Sequence, residues 1–267
     1  MTTILGIDAA WTAGEPSGVA LVRRLASRWH CIAVAPSYAA FRALAEGRAW
    51  DWSRPATGSA PDIPGLLQAA TALAGEAVTL VTIDMPISTS PIIRRRAADQ
   101  AVSRSFGARW CSAHSPGPAR PGSLGAELSR QFTKLGYAVA TTATPVGTTH
   151  RLVEVYPHPA LLTLLNRERR VPYKVSKAST YWRGASTTER ITRLLEEFAN
   201  IQRGLEQHID DMAVRLPSAD DVKTLSALKP VEDALDALVC CWVGGAYLAD
   251  TAYALGDETA AVWCPGP

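Results

Sequence analysis

The run Ile4-Leu5-Gly6-Ile7, ending on Asp8, constrains this chain more than any other stretch. An uninterrupted apolar run of this length reads as a strand buried on both faces. It stops at a carboxylate, and an Asp at the margin of an apolar interior is costly unless a cation, a metal or hydrogen-bond donors answer it. The pattern recurs three times. Leu80-Val81-Thr82-Ile83 runs into Asp84, Leu152-Val153 runs into Glu154, and a late apolar helix holds Asp233 and Asp236. Acids placed at the ends of buried elements are expected to converge on a divalent cation.

Taken in order, the turn formers over 12–18 join the first strand to a second apolar run at 19–22, a hairpin. A third strand is expected at 29–35, and Ser37 suits the cap of a helix over 38–46. A loop over 50–64, a helix over 65–74 and a strand over 78–84 follow, with Pro86 barring further ladder. Helices are expected over 92–106, 123–135 and 187–200, the last with Ser186 and Glu189 as a capping box. Strands are expected at 137–140 and 151–155, then a helix from about 160 and a short terminal strand ending near Trp263. Three antiparallel strands, then parallel-type strands alternating with helices, make an α/β fold whose mixed sheet is flanked by helices.

The last helix, expected over 230–250, is the most informative element. At 100° per residue Val231, Leu235, Leu238 and Trp242 share one face. Asp233, Asp236, Ala237, Cys240, Val243 and Gly244 share the other, so the helix is sandwiched and its acids face protein or a metal. Asp233 has an ordinary alternative, because Pro230 suits the first turn and acids are favoured there by the helix dipole. Asp236 lies a turn deeper, where capping explains little. For Asp8 and Asp84 the ordinary alternative is a strand terminator bonding the next turn, and for Glu154 an ion pair with Arg151. Their joint position at strand ends, where open α/β sheets place their sites, favours function.

His158, between two prolines, and His114, in a long loop, are further candidates. Between Arg94 and Lys134 eight basic residues meet two acids, Asp99 and Glu127, and 167–183 is again basic. Two positive segments flanking a carboxylate cluster suit a phosphodiester substrate, since cations position phosphate and acids hold metal. The net charge of +2 is too small to argue nucleic-acid binding alone. Five cysteines, an odd number without a Cys-x-x-Cys, fit reduced thiols in a cytoplasmic protein. Met-Thr-Thr leads directly into the first strand, leaving no room for a signal peptide, and no apolar run reaches membrane-spanning length. A zinc site, a nucleophile elbow, a Walker loop and a dinucleotide fingerprint are all lacking.

Gly6-Ile7-Asp8, Ile83-Asp84-Met85-Pro86-Ile87, Arg96-Ala97-Ala98-Asp99, Glu154-Val155-Tyr156-Pro157-His158-Pro159, Tyr173-Lys174 and Asp233-Ala234-Leu235-Asp236-Ala237 form an ordered set spanning nearly the whole chain. The set resembles the domain of unknown function 429 family of predicted nucleases, and more broadly the ribonuclease H-like fold. The resemblance implies a single ribonuclease H-like domain over 1–267 with a helical and loop insertion at about 88–150. It also implies a hydrolase that binds nucleic acid or another phosphodiester through two divalent ions, Mg²⁺ or Mn²⁺. Asp8, Asp84 and Asp236 or Asp233 would hold metal, and Glu154 would be a further ligand or the water-positioning base. Asp8, Asp84, Glu154 and Asp236 are thus the expected catalytic set, with Arg96, His158 and Lys174 toward substrate. No membrane contact is expected, and a homodimer stays open. Two other functions share this core: a non-catalytic binding protein, and an actin-like ATPase or kinase-type phosphotransferase. The latter would need a small residue where Trp11 follows Asp8.

Overall fold

A computed structural model describes residues 2–12 and 14–266. The chain opens with β1 (Thr2–Asp8), β2 (Gly18–Leu25) and β3 (Arg28–Ala35), followed by α1 (Tyr38–Ala45), α2 (Ile63–Ala74) and β4 (Leu80–Ile83). Next come α3 (Ala97–Phe106), α4 (Leu124–Lys134), β5 (Ala138–Val139), β6 (Arg151–Val155) and α5 (Pro157–Leu164). The remainder holds α6 (Ala178–Tyr181), α7 (Thr187–Glu206), β7 (Ile209–Asp210), α8 (Lys229–Leu248), β8 (Ala252–Gly256) and β9 (Ala261–Pro265).

The described strands form one mixed sheet in the order β7-β3-β2-β1-β4-β6-β9-β8, with β5 beside β6. β1, β2 and β3 are successively antiparallel, and β4 and β6 run parallel to β1. The expected mixed α/β sheet flanked by helices is therefore present. Beyond β6 it is larger than expected: β9 pairs with β6 in parallel, and β8 folds back on β9 as a hairpin.

β1 is central and buried on both faces, as its composition demands. Ile4, Leu5 and Ile7 are fully buried, each contributing about 1.5–3 kcal/mol relative to exposure. Side chains alternate across the sheet. Leu5 and Ile7 meet α1, α2 and α4, whereas Ile4 joins the core formed with α8, α7 and α5. α8 lies directly on β1 and β2 because two glycines let it. A Cβ on Gly6 would overlap the carbonyl of Ala237, and one on Gly18 would overlap the carbonyl of Asp233.

α5 starts at Pro157, ahead of the expected position near 160, and two other helices differ from expectation for local reasons. α3 starts at Ala97, not near 92, because the Asp99 carboxylate accepts the Arg96 N–H at 2.9 Å and fixes the first turn there. α7 keeps the expected capping box of Ser186 and Glu189 but continues to Glu206, since Ile201 and Leu205 extend its buried stripe. All five cysteines are free and buried. Among the described residues no helix is long and apolar enough to cross a membrane.

Candidate active site

Asp8 is the last residue of β1, and Asp84 immediately follows β4, its N–H donating to the Ile7 carbonyl at 2.8 Å. The two acids therefore stand side by side on adjacent parallel strands, about 5 Å apart in backbone. Alternation sends both side chains to one face. Gly6 and Thr82, two residues before each, touch α8, so Asp8 and Asp84 turn toward α8 as well. Asp8 also sits opposite Gly18, where the backbone of Asp233 rests. The glycine contacts that seat α8 thus bring its acidic first turns against the strand ends.

The acids of α8 are buried and mostly answered. Asp236 accepts from the Tyr173 hydroxyl at 2.7 Å and is paired with Lys174. Glu232 accepts from the Val175 N–H at 2.5 Å and from Lys229 at 2.8 Å, with Lys174 at 3.4 Å. Asp233 pairs with Lys229 through one oxygen, while its buried Oδ2 has no partner. The Asp8 and Asp84 carboxylates have no hydrogen bond or ion pair among the described residues. Five carboxyls consequently share two ammonium groups.

The electrostatics follow from that imbalance. Burial, and then the charge of Asp8, push Asp84 well above the usual carboxylate range. Burial raises Asp233 far more than Lys229 can offset, with Asp8 adding to the rise. Burial also lifts Asp236 to about 6 against the pull of Lys174, and Asp8 again pushes upward. Glu232 goes the other way: although buried, it is held low by Lys174 and Lys229. Asp8 is the common repulsive neighbour of the three raised acids.

Asp8, Asp84, Glu232 and Asp233, with Lys174 and Lys229, line a cleft of about 490 Å³ that also reaches Trp11, Arg120, Arg170 and Lys177, whereas Asp236 is fully buried and does not line it. The floor is anionic and the rim cationic. Arg120 lies over the Trp11 ring at 5.6 Å, and His114 meets the same ring edge-on at 5.5 Å. Sequence reasoning missed Lys229, Arg120, Arg170 and Trp11 as individual site residues. Lys229 had a readable signal, since it precedes Glu232 and Asp233 by the three- and four-residue spacing of helix neighbours.

Three expected site residues lie elsewhere. Glu154 pairs with Val262 and Ile83 across the sheet and points to the face opposite Asp8 and Asp84. There Arg96 donates to both of its oxygens at 2.6 Å, to Asp99 at 2.7 and 3.2 Å, and to the Ile87 carbonyl at 2.6 Å. Ile87 N–H completes the set by donating to Glu154 at 3.0 Å. Arg96 thus answers both Glu154 and Asp99 in a buried network, one guanidinium to two carboxyls. His158 is buried in α5, edge-on to Tyr156 and Tyr173 at 5.3 Å each, and its Nδ1 has no partner. Burial, then Arg170 and Lys174, push its pKa well down, so the ring is neutral.

Among the described residues no three acid, histidine or cysteine side chains form a ready metal cage. What the cleft offers is a pair of unpaired carboxylates, Asp8 and Asp84, and the orphan Oδ2 of Asp233. An all-oxygen donor set suits a hard cation. Magnesium in particular takes one or two carboxylates and completes its shell with water and substrate phosphate. The residues present fit that form of binding.

Neither a curated protein nor a solved structure gives a match to this chain. A family model described as a protein of unknown function (DUF429) matches residues 6–261. With nearly its whole length covered, the chain belongs to that family.

Proposed function

We propose that the protein is a metal-dependent phosphodiester hydrolase, a nuclease on a ribonuclease H-like core, in which Asp8 and Asp84 hold Mg²⁺ or Mn²⁺. One observation carries the reading: two adjacent strand-end carboxylates without a partner face a basic-rimmed cleft. The sheet supports it, since β3-β2-β1-β4-β6 gives three antiparallel strands followed by parallel ones, with Asp on the first and after the fourth.

A bound divalent ion would stabilise charge developing on the phosphoryl oxygens. The chain's own residues divide the remaining work. Lys229 and Lys174 hold Glu232, Asp233 and Asp236 in place and keep the floor from carrying its full negative charge. Tyr173 fixes the orientation of Asp236 from behind. Arg120, Arg170 and Lys177 stand at the rim, where they attract a polyanion and position its phosphates. Arg96 and Glu154 act at a distance, tying the loop after β4 to β6 and thereby fixing the segment that begins with Asp84.

The test joins two readouts. Mn²⁺ at about a hundred times its Kd should stabilise the fold by roughly 2.7 kcal/mol, or about 5 °C in Tm for a chain of this size. It should also support hydrolysis of a single-stranded oligonucleotide. Asp8→Asn should remove the shift and lower the rate on the order of 100-fold or more. A wild-type Tm indifferent to both ions, or a shift that survives Asp8→Asn, overturns the proposal. Stabilisation by ATP without any response to the free ion would instead move the reading to a phosphotransferase.

A further inference from the structure

Beside the cleft lies a recess of different construction. Arg170 and Lys177 line both, but the recess, about 600 Å³, is completed by Trp110, Pro172, Tyr181 and Trp182. Trp110 is 61% exposed and adopts φ 63°. A bulky residue in the left-handed region is strained and persists only where its surroundings impose it. Here the cause is visible. Arg109 donates to the carbonyls of Arg167 and Glu168, and the Arg170 N–H donates back to the Arg109 carbonyl at 2.9 Å. The turn bearing Trp110 is clamped to the strand of chain that bears Arg169 and Arg170. The Arg169 guanidinium then covers one side of the Trp110 ring, 4.7 Å from its centroid. Elsewhere in the recess Trp182 meets Tyr181 edge-on at 5.8 Å and has Arg193 at 5.9 Å.

An indole held out in water on a fixed, strained backbone is a poor contributor to folding and a good stacking surface. Four cations around the recess (Arg169, Arg170, Lys177 and Arg193) favour a polyanionic ligand over an apolar one. Arg170 and Lys177 line both the recess and the cleft, so the phosphates of one strand can be held by the same two cations while its ends reach either side.

We infer that the recess receives an unpaired base of a single-stranded nucleic acid whose backbone continues into the cleft. This rests on the phosphodiester reading of that cleft and narrows its substrate. Stacking on Trp110 tolerates any base, because every base has a π-face. A paired base inside a duplex cannot offer that face without being extruded.

The experiment is equilibrium binding in EDTA, where no cation-dependent cleavage intervenes. It compares a short oligothymidylate with a strand of equal length made of base-free deoxyribose phosphates. The wild type should prefer the base-bearing strand by about 10-fold or more. Trp110→Ala should erase the preference and leave affinity for the base-free strand unchanged, while Trp110→Phe should keep most of it. Equal affinity for the two strands, or a preference that survives Trp110→Ala, overturns the inference. So does tighter binding to phosphatidylserine vesicles than to oligothymidylate. Equal binding alongside intact Mn²⁺-dependent hydrolysis removes the base recess alone. Lost hydrolysis with an intact base preference removes the cation reading alone.

Discussion

Replacing Arg96 by Met separates a structural from a substrate-binding role for this side chain. The side chain is 6% exposed, and its guanidinium makes five hydrogen bonds to Glu154, Asp99 and the Ile87 carbonyl. Met fills much of the volume but donates nothing. Glu154 would keep only the Ile87 N–H, and Asp99 only the Arg96 backbone N–H. Breaking a buried pair by removing one partner costs about 3–5 kcal/mol, and two stranded carboxylates place this variant at the upper end. For a chain of this length that is a Tm loss of roughly 6–10 °C, measured by circular dichroism and checked by the urea midpoint. The deficit should shrink at acid pH, because protonation relieves the uncompensated acids. Adding Glu154→Leu to Arg96→Met should recover part of it, since apolar replacement of a buried pair is often neutral. The Mn²⁺-induced shift should persist in the variant, because Asp8 and Asp84 are on the other face of the sheet. An Arg96→Met protein with unchanged Tm but lost hydrolysis would refute the reasoning and return Arg96 to the substrate.

Two other outcomes follow from the carboxyl cluster and the seat of α8. Asp84, Asp233 and Asp236 have folded-state pKa values raised above their unfolded ones, Asp236 to about 6. Their stabilising contribution is therefore present below the unfolded carboxylate pKa and lost as pH rises through the folded values. Because Asp8 repels all three, Asp8→Asn in EDTA should gain Tm over wild type as pH goes from about 4 to 7; a pH-independent difference contradicts the shared repulsion. Gly6→Ala should destabilise by roughly 1–3 kcal/mol or more through contact with the Ala237 carbonyl, and should weaken the Mn²⁺ shift by lifting α8. A variant as stable as wild type would mean that α8 does not rest on Gly6.

The acids of the site were readable because each ends or opens an apolar run, and a carboxylate there has to be explained. Asp8 and Asp84 could even be set side by side, given a strand order that makes β1 and β4 neighbours. Glu154 shows where this stops. β6 is buried on both faces, so its sequence alternates apolar with apolar and gives no sign of which face an acid takes. Only pairing with β4 and β9 settles that Glu154 shares the face of Ile83 and not that of Asp84. Its partner, Arg96, is the N-cap of α3, although the sequence predicts a helix already under way from 92. Tyr173 and Lys174, which answer Asp236, lie outside any periodic element, and no pattern announces where such a segment passes.

The glycines hold the remaining lesson. Gly6 and Gly18 are visible in the sequence as interruptions, one within an apolar strand and one ending a turn. Each alone reads as a bulge or a hairpin residue. Their meaning depends on register: Gly18 lies opposite Asp8, and Gly6 precedes Asp8 by one alternation, so both open the same face beside the same carboxylate. The absence of two side chains lets a helix backbone approach the sheet closely enough for its acids to reach a strand-end acid. The charge cluster is thus a consequence of backbone proximity. Enlarging either glycine should act on the cation response even though neither residue has a group that could bind one.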